Sequence, residues 1–236
     1  LDGEAGLSES VRKIVDQATV LVGSDRHLRY FPDHPAPRII LQDLTATLVE
    51  IQHYLFAFET NTPDLDPIVV VLVSGDPLFF GLGRLLLAKF PPEKLTFHPH
   101  LSSIQLAFNR VKVPWQDAQI ISTHGRSFEQ LTQALQQGTE KIAILTDITD
   151  HTPKAIARLL SSLDLPTTYQ FWVCENLGGI DERVQQWSID EISTQKFASL
   201  NVVILLRESS LSLSLDLSQV PFFGIPDQLF CSFSDR

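Results

Sequence analysis

An α/β fold of two subdomains is predicted by three features of this chain. Short apolar, often β-branched runs alternate with amphipathic stretches through most of its 236 residues. One run, Ile68-Val69-Val70-Val71-Leu72-Val73, reads as a central strand buried on both faces and leads straight into the turn Ser74-Gly75-Asp76-Pro77. The rhythm breaks at Val113-Pro114-Trp115-Gln116-Asp117, a candidate linker, and then resumes. The expected units are 1–112 and 118–208, each α/β, with 209–236 as a connecting arm.

The elements follow in order. Ser8 or Ser10 caps a first helix reaching residue 18, with Val11, Ile14 and Val15 as its apolar stripe. A strand is expected over 19–24 and a short extended piece over 38–41. Leu48, Ile51, Leu55 and Phe58 recur at helical spacing, so 45–58 is a helix. The strand at 68–73 precedes a helix over 78–89, a strand over 94–98 and a helix over 103–111. In the second half, strands are expected over 118–122 and 141–146, and helices over 127–137 and 153–163. Thr152 caps the last of these and Pro153 sits in its first turn. Extended runs at 169–175, 186–192 and 201–207 have no helices between them, which predicts an antiparallel portion. The alternating Ser/Leu stretch at 209–218 is either part of the arm or an edge strand.

Composition narrows the class. With 44% hydrophobic and 19% charged residues the chain fills a core and reads as globular. No apolar run approaches the roughly 18 residues of a membrane span. No basic-then-apolar leader is visible, and the two cysteines, Cys174 and Cys231, fit a reducing, cytoplasmic setting. Neither has a partner at metal-ligand spacing, so no metal is expected. The chain has no Met and opens on Leu1-Asp2-Gly3, which reads as the end of a loop; the first strand of a sheet is expected upstream.

A net charge of −10 argues against nucleic acid as a partner. The charge is uneven. Residues 1–66 carry 5 basic and 11 acidic groups, 67–138 carry 6 and 4, and 139–236 carry 7 and 13. The middle, which also holds His98, His100 and His124, either receives an anionic small molecule or is an ordinary solvated face.

A glycine at the carboxyl end of an apolar strand lets a ligand approach the backbone, and strand ends are where open α/β sheets bind ligands. Five motifs of chemical interest stand in order. They are Ser74-Gly75-Asp76-Pro77, His100-Leu101-Ser102-Ser103, His124-Gly125-Arg126, Thr146-Asp147 with Thr152-Pro153, and Glu175-Asn176-Leu177-Gly178-Gly179. Together they resemble the tetrapyrrole methylases, S-adenosylmethionine-dependent enzymes of two α/β domains. Within them the chain looks like the carbon-5 part of the precorrin-6Y C5,15-methyltransferase family of cobalamin biosynthesis. The resemblance covers about residues 1–208. Gly224-Ile225-Pro226-Asp227 with Phe230 resembles the junction to a second methyltransferase and decarboxylase domain.

The resemblance implies a cofactor cleft between the two subdomains, S-adenosylmethionine as cosubstrate, an anionic tetrapyrrole as substrate and a homodimer. By resemblance Ser74, Gly75, Asp76, Ser102, Ser103, Thr146, Asn176 and Leu177 border the cofactor. Structural alternatives stand beside these roles. Asp76 and the serine pair cap helices, and Asn176-Leu177 is a left-handed turn built on two glycines. Arg126 is a candidate clamp for a substrate carboxylate, and His124 binds a carboxylate or accepts a proton; both are otherwise surface residues of a turn.

Overall fold

The computed structural model describes residues 3–61, 67–123, 127–147 and 149–208. Expectations for residues 1–2, 62–66, 124–126, 148 and 209–236 lie outside the described residues, including the arm and the His124-Gly125-Arg126 motif.

A 3-10 turn (Gly3–Gly6) leads into α1 (Glu9–Asp16), where Ser8 is the cap and accepts the Val11 N–H at 3.3 Å. Three strands, β1 (Val20–Gly23), β2 (Arg38–Ile40) and β3 (Val69–Leu72), make a parallel sheet in the order β2-β1-β3. The short helix α2 (Asp25–Leu28) follows β1, and α3 (Leu44–Asn61) connects β2 to β3. Alternation along β1 serves two faces. Leu21 packs with Val15, Leu28 and Phe31, whereas Val20 and Val22 pack with Ile39 and Ile51.

The middle strand is therefore β1, not the run at 68–73. Among the described residues β3 lies at an edge of this sheet, and all four of its residues are half-buried. A continuous apolar run identifies a strand but not its rank in a sheet.

After β3 the expected helix starts late, as α4 (Gly83–Lys89). Residues 77–82 wrap first: the Phe79 N–H donates to Asp76 O at 3.1 Å and the Gly83 N–H to Pro77 O at 2.8 Å. A Cβ at position 83 would stand 2.6 Å from that Pro77 carbonyl oxygen, so the wrap requires glycine there. The strand expected over 94–98 does not form. Residues 95–100 run outside both sheets, and the His100 N–H donates to Gly75 O at 3.2 Å, which ties this segment to the turn after β3.

The helix α5 (Ser103–Val111) precedes the Val113–Asp117 break, yet its buried side chains Ile104, Ala107 and Phe108 pack on the second sheet. That sheet comprises β4 (Gln119–Ser122), β5 (Lys141–Leu145), β6 (Tyr169–Glu175), β7 (Arg183–Trp187) and β8 (Asn201–Arg207) in the order β4-β5-β8-β6-β7. Strands β4 and β5 are parallel; β8 inserts antiparallel between β5 and β6, with Ile144 opposite Val203 and Trp172 opposite Ile204. Helices α6 (Glu129–Gln136), α7 (Pro153–Ser162) and α8 (Ile189–Thr194) supply Leu135, Ile156 and Ile192 to the face carrying Ile142, Ile144 and Val203. The other face, Ala143, Cys174, Val202 and Ile204, is covered by α5. The extended run expected over 186–192 resolves into the end of β7 and α8, because Ser188 and Glu191 form a capping box that starts a helix.

No helix among the described residues is long and apolar enough to cross a membrane.

Candidate functional site

The carboxyl ends of β1 and β3 open on a cavity of about 470 Å³. Its wall comes from both sheets: Ser74, Gly75 and Asp76 after β3, Ser102 and Ser103 at the start of α5, Leu145 at the end of β5, and Leu177 and Gly178 after β6. Its size falls in the ordinary range for a small-molecule site. Phe79, Leu106, Leu145 and Leu177 make one part apolar, and hydroxyls and histidines make another polar.

The turn after β3 is fixed by the chain's own bonds. Gly75 has φ +66°, and a Cβ there would lie 3.3 Å from Ser102 Cα. Glycine thus lets the turn touch the start of α5. Asp76 uses Oδ1 to accept the Leu78 N–H at 2.8 Å, closing an Asx turn while its residue still borders the cavity. Ser102 is the cap of α5: its Oγ accepts the Gln105 N–H at 3.2 Å, and Gln105 Oε1 accepts the Ser102 N–H at 2.8 Å. The capping role holds for Ser102, and Ser103 beside it borders the same cavity.

Thr146 and Asn176 do not line the cavity; their neighbours do. The Thr146 hydroxyl turns to Asn201, 2.9 Å from its carbonyl and 2.8 Å from Oδ1. Asn176 stands in the left-handed region, φ 49°, with its N–H given to Leu200 O at 2.9 Å. Leu177 and Gly178, which follow it, are the residues that reach the cavity. Asp147 is buried and structural. Its Oδ1 accepts the N–H groups of Thr149, Asp150 and His151 at 3.0, 2.9 and 2.8 Å, and Oδ2 pairs with His151 Nδ1 at 2.6 Å. Burial pushes this carboxyl up, but the His151 and Thr149 hydrogen bonds outweigh it and hold it well below the ordinary carboxylate value.

Among the cavity residues that escape sequence reasoning are His27 and Arg110, and His100 belongs to a quoted motif without a role of its own. His27 sits one turn past β1, where Nδ1 meets Ser24 Oγ at 2.8 Å and Nε2 meets Ser74 Oγ at 2.9 Å. Burial first, and the Arg26 charge second, lower its pKa, so the ring is neutral at pH 7. His100 Nε2 lies 2.9 Å from Gly6 O. Arg110 pairs with Glu182, which also accepts the Gly178 N–H at 2.7 Å. The available signal for His27 is its place just beyond a strand end, in Ser24-Asp25-Arg26-His27; Arg110 carries no local signal, since its partner lies 72 positions away.

The family model of the Tetrapyrrole (Corrin/Porphyrin) Methylases matches residues 1–193. The chain belongs to the tetrapyrrole methylases. This methylase is 32% identical over 190 residues to a precorrin-6Y C(5,15)-methyltransferase [decarboxylating] of Sinorhizobium sp, covering 78% of this chain and 42% of that protein. The chain thus spans less than half of that relative's length. It is 31% identical over 212 residues to a cobalt-precorrin-7 C(5)-methyltransferase of Salmonella typhimurium, covering 87% of this chain and 96% of the relative. Among solved structures, a precorrin-6Y methylase of cobalamin biosynthesis from Archaeoglobus fulgidus aligns with TM-score 0.55 at 23% identity, over 86% of this chain and 92% of that one. A uroporphyrin-III C-methyl transferase from Thermus thermophilus, complexed with S-adenyl homocysteine, aligns with TM-score 0.63 at 16% identity, over 86% and 92%. At these identities the structural likeness bears on the fold, an α/β fold with a parallel and a mixed sheet.

Proposed function

We propose that this methylase transfers a methyl group from S-adenosylmethionine to carbon 5 of a precorrin-6B/precorrin-7-type corrinoid precursor in cobalamin biosynthesis. The observation that carries the reading is the pair of relatives whose names both specify carbon 5, one matched over 96% of its length. When bound, the cofactor would supply an electrophilic methyl on a sulfonium: the C–S bond breaks as the ring carbon forms the new C–C bond, S-adenosylhomocysteine leaves, and the ring gives up a proton.

The residues present fit that cofactor. Leu106, Leu145, Leu177 and Phe79 offer an apolar seat for a purine. Gly75 and Gly178 keep backbone exposed to a ligand, and Ser74, Asp76, Ser102 and Ser103 offer polar contacts. In-line transfer needs alignment above all, and short ties supply it: His100 N–H to Gly75 O, and Glu182 to Gly178 N–H. Arg126 as a clamp for the anionic macrocycle, and His124 as carboxylate partner or proton acceptor, belong to the same reading. So do the division into subdomains 1–112 and 118–208 with the cofactor between them, a homodimer, a cytoplasmic setting and a fused C-terminal methyltransferase/decarboxylase domain in the full-length protein.

Incubation with S-adenosylmethionine and the enzymatically prepared macrocycle tests this. The reading expects a product heavier by one methylene, with the label from a ¹³C-methyl donor on carbon 5. Label on another ring carbon would reassign the methylase. Cofactor binding without transfer would favour a second reading, a non-catalytic module serving a fused partner, which the 42% coverage of the Sinorhizobium enzyme keeps open.

A further inference from the structure

A triangle of contacts at the cavity wall fixes hydrogens. Arg26 Nη2 lies 2.9 Å from Ser74 Oγ and 3.2 Å from His27 Nε2, and those two atoms are 2.9 Å apart. A guanidinium only donates. A proton on Nε2 would face that donor, so Nε2 is the accepting nitrogen and Nδ1 carries the hydrogen. Ser24 Oγ receives it at 2.8 Å. Of the two donor atoms beside Nε2, Ser74 Oγ stands at 2.9 Å and Arg26 Nη2 at 3.2 Å, and the nearer hydroxyl is taken as the donor to Nε2. Ser74 Oγ thus spends its hydrogen on His27 and one lone pair on Arg26. What remains toward the cavity is a single acceptor site.

We propose that His27 and Arg26 act as positioning residues that hold Ser74 as a hydrogen-bond acceptor, so that this wall takes a hydroxyl donor of the bound cofactor. The inference rests on the cofactor reading above and adds the polarity of one contact. The Arg26 guanidinium beside Ser74 repels a second cation and disfavours an ammonium at the same place. The neutral donors left on an adenosyl cofactor are the ribose hydroxyls and the adenine amino group. The adenine is assigned to the apolar seat of Phe79, Leu106, Leu145 and Leu177, which leaves a ribose hydroxyl for Ser74.

The test uses the 236-residue chain and two probes. S-adenosylhomocysteine carries both the ribose and the amino-acid end; 5′-methylthioadenosine keeps the ribose and lacks that end. Ser74→Ala is expected to weaken both by a similar factor, about three- to tenfold for one lost hydrogen bond. His27→Ala should match that loss, whereas His27→Gln, whose amide oxygen can accept where Nε2 does, should stay within about twofold of wild type. Weakening of S-adenosylhomocysteine alone would put the ammonium at Ser74 and overturn the hydroxyl assignment. Equal weakening by His27→Ala and His27→Gln would overturn the positioning role. Independently of any ligand, ¹⁵N NMR of the His27 ring should show Nδ1 protonated and Nε2 unprotonated; the opposite tautomer overturns the proposal. Failure of wild type to bind either probe would instead remove the cofactor reading, leaving the tautomer measurement to decide on the triangle.

Discussion

Arg110 on α5 forms an ion pair with Glu182, and the same Glu182 carboxylate accepts the Gly178 N–H at 2.7 Å. A helix that starts at the cavity is thereby tied to the turn after β6 that forms another part of the cavity wall. The Arg110 hydrogen bond, the Gly178 N–H and the Arg110 charge together outweigh burial and hold the Glu182 carboxyl below its ordinary value.

Glu182→Gln should therefore loosen the Leu177–Gly178 wall more than it destabilises the fold. A partly exposed pair contributes little to stability. The expected outcome is a several-fold weaker Kd for S-adenosylhomocysteine by calorimetry, with Tm nearly unchanged. A depressed carboxyl contributes above its unfolded value, about 4.3, and is lost as pH falls through the folded value. The wild-type affinity advantage over Glu182→Gln should thus shrink below about pH 4.

At Asp76 the two carboxylate functions separate by substitution. Asp76→Asn keeps an oxygen for the Leu78 N–H at 2.8 Å and loses only charge. Asp76→Ala loses the turn closure too, a cost of about 1 kcal/mol. Weaker cofactor binding in both variants, with a lower Tm only in Asp76→Ala, is the expected pattern. Unaltered binding in Asp76→Ala would reduce this residue to turn closure.

Gly75→Ala places a Cβ 3.3 Å from Ser102 Cα at φ +66°. The left-handed conformation alone costs about 1–2 kcal/mol. Relief requires the turn and the start of α5 to part. Affinity for S-adenosylhomocysteine is expected to drop by about tenfold, the factor that 1.4 kcal/mol represents. Thermal melts and titration on one preparation check both effects.

Asp147 predicts an acid-sensitive loop. It is 8% exposed, and its carboxylate accepts three backbone N–H groups. Asp147→Asn should cost about 2 kcal/mol, by the worth of hydrogen bonds to a charged group, or about 4–8 °C at the 2–4 °C per kcal/mol usual for this size. Because its folded pKa is depressed, the stabilisation is full above about pH 4 and declines as pH falls further. The gap between wild type and Asp147→Asn in Tm should close on acidification.

Much of this was legible because the signals are local. A serine cap followed three residues on by Gln or Glu marks a helix start, as Ser102 with Gln105 does for α5. The same signal at Ser188 and Glu191 competes with Trp187, Ile189 and Ile192, whose spacing also fits an extended run. The strands expected over 19–24 and 68–73 form at Val20–Gly23 and Val69–Leu72, and four of the five motifs lie among the described residues, at strand or helix ends. What was not legible depends on partners distant in sequence. The edge position of β3, the course of residues 95–100 outside both sheets, and the packing of α5 on Ala143 and Ile204 are set by which sheet each segment meets. The same holds for His27, whose meaning comes from Ser74, 47 positions away.

Everything proposed for this site depends on an adenosyl cofactor in the cavity between Ser74–Asp76, Ser102–Ser103 and Leu177–Gly178. Calorimetric titration of wild type with S-adenosylhomocysteine tests it most directly. Saturable binding at micromolar strength, weakened about tenfold in Gly75→Ala, is the predicted result; absence of binding by folded protein, or binding indifferent to Gly75→Ala, would contradict it.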